Sequence, residues 1–233
     1  MTVLCSIVSA THRGIEGMMK LQVPTSHYFT DGYDSFERFV SYWHQINELR
    51  LLKPESILEV GPGNKFVANY LKGRGYNVTT LDIDPALSPD VLGSVLAMPL
   101  QNASFDVVAC FEVVEHLPYE LFGVALQEIH RVARRYAVLS IPDTMRDYWI
   151  DIKLPKIPSI RRMWSRPGAG SSHQFDGEHY WEIGKKGYPL SRILREMTRI
   201  GFRVVKTWRV FENTYHRFFV LEKECSVVKY PDR

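Results

Sequence analysis

Cysteine is scarce in this chain. Only Cys5, Cys110 and Cys225 occur, far apart and in no CxxC or Cys/His spacing, which excludes a disulfide framework or a structural zinc knot and points to a reducing, cytoplasmic setting. Also missing is any apolar run near the roughly 18 residues of a membrane helix. The apolar stretch 3–10 lacks a preceding basic region, so secretion is not expected, and Met18 or Met19 offers an alternative start. Neither sign of charge dominates: 29 Lys and Arg face 26 Asp and Glu, a net charge of +3. No DNA partner is expected from so mild a balance, although an anionic substrate is permitted. With 45% hydrophobic and 24% charged residues, 233 residues suit one sizeable globular domain.

A further absence bears on the ligand. Ser56-Ile57-Leu58-Glu59-Val60-Gly61-Pro62-Gly63-Asn64 reads as an apolar strand ending in a glycine turn that feeds a helix, and Thr79-Thr80-Leu81-Asp82 as a second strand ending in a carboxylate. In an open parallel sheet such features meet at the strand ends, where glycines admit a ligand to the backbone and the acid receives ribose hydroxyls. A dinucleotide fingerprint needs a third small residue beyond the second glycine, and this chain has Phe66 there. NAD and FAD are therefore disfavoured. Glu59, just before the turn, would repel a pyrophosphate but suits an ammonium, which selects S-adenosyl-L-methionine.

Apolar positions at three- and four-residue steps predict a helix over 35–52, with Asp34 or Ser35 as cap. Strands are expected at 57–60, 77–81, around Val91, 105–111 and 137–141, with helices at 64–74 and 119–132 between them. Past Pro142 the pattern breaks. Segment 144–175 carries Arg146, Lys153, Lys156, Arg161, Arg162 and Arg166 against Asp147 and Asp151, and Pro167, Gly168, Gly170 and Gly177 argue for a loop-rich insertion. Pro189 and Gly201 bracket a helix, and strands at 203–211 and 215–222 follow. The expected architecture is α/β, with a Rossmann-like seven-stranded, mostly parallel sheet, a terminal antiparallel strand and helices on both faces. Residues 1–55 read as an N-terminal extension and lid helix, and 56–233 as the core with an insertion at about 144–180.

With these motifs in place, residues 56–223 resemble the class I S-adenosylmethionine-dependent methyltransferases, in particular the methyltransferase type 11 group. The resemblance implies that Gly61 and Gly63 approach the methionine part of the cofactor beside Glu59, that Asp82 binds ribose and that Ile83 lies against adenine. Asp90-Val91-Leu92-Gly93-Ser94-Val95 resembles the segment whose aspartate accepts the adenine amino group. Here Ser94 takes its place, which shifts recognition toward the Val95 backbone. The run 104–117, Ser-Phe-Asp-Val-Val-Ala-Cys-Phe-Glu-Val-Val-Glu-His-Leu, resembles the fourth-strand signature and sets Phe111 at the cofactor. It lacks the Asn/Asp-Pro-Pro-aromatic grip of enzymes that methylate base amines.

A sulfonium methyl is already activated, so transfer needs mainly alignment, with a general base when the acceptor is a hydroxyl. The candidate bases are His173 and His179, in the polar and aromatic cluster 171–182; the alternative is that this cluster only pins the insertion. His173, Asp176, Glu178 and His179 include metal-ligand types, but their spacing fits no strong motif and no metal is expected. His116, beside Glu115, reads as a loop-ordering residue. The insertion's cations read equally as a solvated face or, with the interleaved Trp149, Ile150, Ile152, Leu154, Ile157, Ile160, Met163 and Trp164, as a surface for an apolar or anionic moiety or a membrane. Tyr28, Phe29, Tyr33, Tyr42 and Trp43 are candidates for a lid.

The resulting expectation is methyl transfer from S-adenosyl-L-methionine to a small-molecule or lipid-like, anionic acceptor, with peripheral membrane contact and release of S-adenosylhomocysteine. The alternatives are an RNA or protein methyltransferase, and a cofactor-binding regulatory protein without transfer activity. A nicotinamide-dependent oxidoreductase is weakened by Phe66.

Overall fold

A computed structural model describes residues 23–166 and 170–224. The expectations that concern Cys5, Cys225, segment 3–10, Met18, Met19, Pro167 and Gly168 lie outside the described residues. The chain forms β1 (Ser56–Val60), β2 (Asn77–Asp82), β3 (Val91–Leu92), β4 (Phe105–Phe111), β5 (Ala133–Pro142), β8 (Phe202–Arg209) and β9 (His216–Lys223) in one sheet, with β6 (Arg146–Ile152) and β7 (Ile160–Arg166) as a separate pair. Four α-helices accompany them among the described residues: α1 (Phe36–Leu51), α2 (Phe66–Gly73), α3 (Phe122–Val132) and α4 (Leu190–Ile200).

The sheet order is β3-β2-β1-β4-β5-β9-β8. Strands β1 to β5 pair in parallel, and β9 runs antiparallel between β5 and β8. Alternation along each strand builds two cores. Leu58, Val60, Val108, Cys110, Leu139 and Phe219 face α3, α4 and the fully buried Trp181 on one side. Ile57, Val107, Ala109, Val138 and Phe218 face α1 and α2 on the other, where Tyr42, Ile46 and Leu49 pack. The helix expected at 35–52 is thus as much core as lid. Ser35 caps it, its Oγ accepting the Arg38 N–H at 3.3 Å.

Strand order reverses between β1 and β4, so their carboxyl ends splay into a crevice, the usual ligand position of an open parallel sheet. The crevice is bounded by Gly61 after β1, Asp82 at the end of β2 and Glu112 after β4. The helix expected at 64–74 begins only at Phe66, because Lys65 takes a left-handed φ of 60° and the Asn64 side chain receives the Phe66 N–H at 3.0 Å.

The insertion corrects one expectation. In place of loops, β6 and β7 form a regular antiparallel ribbon, Arg146 opposite Arg166 and Ile152 opposite Ile160. Its β-branched and aromatic residues outweigh the punctuation signalled by the later glycines. One face is pinned to the core: Arg209 donates to Asp147, Trp149 packs edge-on against Phe211 at 5.7 Å, and Arg161 pairs with Glu212 at 2.7 Å. On the opposite face Tyr148, Ile150, Ile152, Ile160 and Trp164 are exposed, as are Leu154 and Ile157 at the tip.

Candidate active site

A cavity of about 860 Å³ opens at the crevice, lined by β-strand ends, the aromatic segment 27–42 and the loop 175–180. Its floor is the glycine turn. Gly61 and Gly63 have φ values of 66° and 51°. A Cβ on Gly61 would meet Val113 at 2.5 Å, and one on Gly63 would meet the Tyr28 ring at 3.1 Å. Both positions therefore require glycine on conformational and steric grounds. Below them Glu59 is fully buried, with one carboxylate oxygen lacking any partner. Burial pushes its pKa up to about 8, against the opposing Ala68 N–H and the Lys72 charge. A positively charged ligand group would satisfy that carboxylate, which an ammonium does and a pyrophosphate does not.

Asp82 reaches the next strand end, its Oδ1 accepting the Asp84 N–H at 2.9 Å; burial raises its pKa above the usual carboxylate range. Ile83, Ser94, Val95 and Phe111 line the same cavity, as do Glu59, Gly61, Gly63 and Asp82. The Ser94 hydroxyl accepts the Leu96 N–H at 3.2 Å and keeps its own O–H as a donor. This half has the chemistry for an adenosyl group bearing an amino acid: a buried acid at the glycine turn, an acid at β2 and an apolar slot between Ile83 and Val95. Of the lid candidates, Tyr28, Tyr33 and Tyr42 line the cavity, whereas Phe29 and Trp43 do not and are 66% and 58% exposed. His27, Tyr28 and Tyr33 form a mutual edge-to-face cluster at 5.3–5.5 Å.

The other end is polar. His116, Glu178, His179, Tyr180, Tyr215 and His216 contribute to its wall. The His179 Nδ1 lies 3.2 Å from Glu182 Oε1, and the Tyr215 hydroxyl donates to the same carboxylate. Burial works against the charged imidazole, but Glu182, Asp176 and Glu112 outweigh it and hold the His179 pKa above its ordinary value. His116 is pushed the other way, to about 4, by burial and by the charge on His179.

The two candidate bases are not equivalent. His179 faces the cavity, but His173 is absent from its wall, its Nε2 bonded to the His179 carbonyl at 2.8 Å and its Nδ1 3.9 Å from Glu182. His173 thus supports the loop that presents His179. The sequence reading did not single out Tyr215, Glu182 or His216. Tyr215 and His216 come from the last hairpin and meet the 171–182 cluster only through the fold; no local pattern marks them.

Residues 58–141 match a family model described as a methyltransferase domain. A curated ubiquinone biosynthesis O-methyltransferase of Rickettsia bellii is 32% identical over 94 residues, 35% of this chain and 37% of that protein. The chain therefore aligns with little more than a third of this relative's length. Among solved structures, the 1,6-didemethyltoxoflavin-N1-methyltransferase of Burkholderia thailandensis, with bound 1,6-didemethyltoxoflavin and S-adenosylhomocysteine, superposes at a TM-score of 0.58 with 14% identity, over 83% of this chain and 82% of that one. Magnesium protoporphyrin IX methyltransferase from Synechocystis PCC 6803 superposes at 0.57 with 13% identity, over 85% and 92%. The fold is that of the class I methyltransferases.

Proposed function

We propose that this chain transfers a methyl group from S-adenosyl-L-methionine to a small-molecule or lipid-like acceptor and releases S-adenosylhomocysteine. The observation that carries this reading is a single cavity with two chemically distinct ends. One offers a buried, half-unpartnered carboxylate at a glycine turn. The other offers an imidazole backed by a carboxylate and a phenol.

When bound, S-adenosyl-L-methionine supplies a methyl group activated by its sulfonium. Glu59 would hold the ammonium, Asp82 the ribose hydroxyls, and Ile83, Val95 and Phe111 the adenine and its surroundings. His179, fixed by Glu182, would accept a proton from an acceptor hydroxyl, which favours an oxygen nucleophile. The His27, Tyr28 and Tyr33 cluster covers the glycine turn and would exclude water.

The β6–β7 ribbon supports a lipid-like acceptor. Its free face and tip combine exposed Ile150, Ile152, Leu154, Ile157 and Trp164 with Lys153, Lys156 and Arg162, a composition suited to an anionic interface. No helix among the described residues is long and apolar enough to cross a membrane, so such contact would be peripheral.

Calorimetric titration with S-adenosyl-L-methionine, S-adenosylhomocysteine and NAD tests the reading. Binding of the first two, weakened roughly tenfold or more by Asp82→Ala through loss of charge-assisted hydrogen bonds, is the expected outcome. Binding of NAD alone would overturn it.

A further inference from the structure

Behind the acceptor end of the cavity, between the wall residues Val113 and His116, lies a carboxylate that the fold leaves without a hydrogen bond. Glu115 is 0% exposed and neither of its side-chain oxygens has a hydrogen-bond partner. A buried carboxylate in that state is costly unless a proton or a cation neutralises it. Its Oε1 faces His116 Nε2 at 3.9 Å, and Glu115, His116 and His179 each place a ligating atom within 4.8 Å of the other two.

The two rings are oriented from outside. His116 Nδ1 lies 3.0 Å from the Glu178 carbonyl oxygen, which assigns the proton to Nδ1 and gives Nε2 the lone pair. His179 Nδ1 is likewise engaged by Glu182, which leaves its Nε2 to ligate. A carbonyl or carboxylate behind the far nitrogen is the outer support typical of metal-binding histidines. Glu112 adds a second charge: its Oε1 is also buried and unpartnered, and its backbone holds a left-handed φ of 52°. The Glu112 carboxylate, whose Oε2 lies 3.5 Å from His216 Nε2, adds its charge to the cost of ionising Glu115, and a cation beside the imidazoles offsets both.

We propose that Glu115, His116 and His179 form a divalent-cation site at the acceptor end of the cavity, with Glu112 as a further charge partner and open positions for an acceptor oxygen. Two imidazoles and a carboxylate suit zinc, manganese, iron(II) or cobalt better than magnesium or calcium, which prefer all-oxygen sets. With the ion bound, His179 Nε2 is a ligand and no longer a base, and the ion itself would lower the pKa of an acceptor hydroxyl; that role rests on the methyl-transfer reading above, whereas the binding of the ion does not. A neighbouring set, Asp176, His179 and Glu182, has similar spacing. Its carboxylates are already in use, Asp176 accepting the Glu178 and His179 N–H groups and Glu182 receiving Tyr215 and Lys185. The sequence spacing gave no metal motif because His179 reaches Glu115 and His116 only through the folded loop.

The test is titration of the chelator-stripped full chain with Co²⁺, read by its visible absorption, and equilibrium dialysis with Zn²⁺ and Mn²⁺, without methyl donor or acceptor. One ion per chain is expected, with affinity falling tenfold or more in Glu115→Gln, His116→Ala and His179→Ala but not in Asp176→Asn. Circular dichroism checks that each variant folds; should Glu115→Gln fail, His116→Ala, at the cavity wall, carries the test. No saturable binding, binding that Glu115→Gln and His116→Ala both leave intact, or a loss confined to Asp176→Asn and His179→Ala would overturn the site. Because the assay omits donor and acceptor, a negative result leaves the methyl-transfer reading standing, and failure to bind S-adenosyl-L-methionine leaves the ion site standing.

Discussion

The Tyr42 ring stacks on the Phe66 ring, centroids 4.6 Å apart and planes within 20°. Phe66 is the residue that departs from the dinucleotide fingerprint, and the fold uses it to dock α1 against the first turn of α2. Asn64 joins the same contact, receiving the Tyr42 hydroxyl at 3.3 Å and the Phe66 N–H. The helix that walls the cavity is thus held by the substitution that disfavours NAD.

Phe66→Ala should therefore loosen α1 and destabilise the chain by about 2 kcal/mol, below the range for a fully buried aromatic because Phe66 is only half-buried. Urea unfolding would measure it. A change under roughly 0.5 kcal/mol would mean that the stack does not hold the helix.

Glu59 gives a pH dependence with a definite sign. Its folded pKa is raised to about 8 from 4.5, so between these values the native state keeps a proton that the unfolded chain has lost. Stability from this group is fully present below pH 4.5 and is lost as pH rises through 8, at up to about 1.4 kcal/mol per pH unit. Glu59→Gln should flatten that slope and be more stable than the unsubstituted chain at pH 8, while binding S-adenosyl-L-methionine at least tenfold more weakly. Thermal melts across pH 5 to 9 and calorimetry would check both halves; an unchanged slope would show that Glu59 is already ionised in the apo chain.

The unequal placement of the two histidines separates their variants. His179→Ala should lower turnover by roughly 10²-fold or more if it takes the acceptor proton, with donor affinity intact. His173→Ala should cost less and shift the pH–rate profile, since it acts through the loop carrying His179. Equal losses with unchanged profiles would leave both as supports of that loop.

At the β6–β7 ribbon, Ile150→Asp combined with Leu154→Asp changes exposed side chains and should leave the melting temperature within a few degrees. Sedimentation with vesicles containing phosphatidylserine should fall several-fold, and binding to neutral vesicles should be weak throughout. Equal sedimentation of the variant would end the membrane reading.

Much of the sheet was legible because its signals are local. Ile57 to Val60, Val107 to Phe111 and Val138 to Ile141 are strand-length, mostly apolar runs, and Gly61, Gly63 and Gly201 sit where positive φ is required. Asp82 and Glu59 could be placed because each is fixed by its own strand end. The ribbon was misread as loop: its register depends on Arg209, Phe211 and Glu212, which lie far along the chain.

The sequence alone determined a doubly wound sheet, a glycine turn with an acid beneath it and an acid one strand away, since strand period, turn chemistry and strand ends are short-range properties. Only the tertiary structure decided which histidine faces the cavity and that Glu115 is sealed without a hydrogen bond beside His116 and His179. Those facts depend on packing between segments more than sixty residues apart, where burial and the distances between side chains, and no local pattern, set the chemistry.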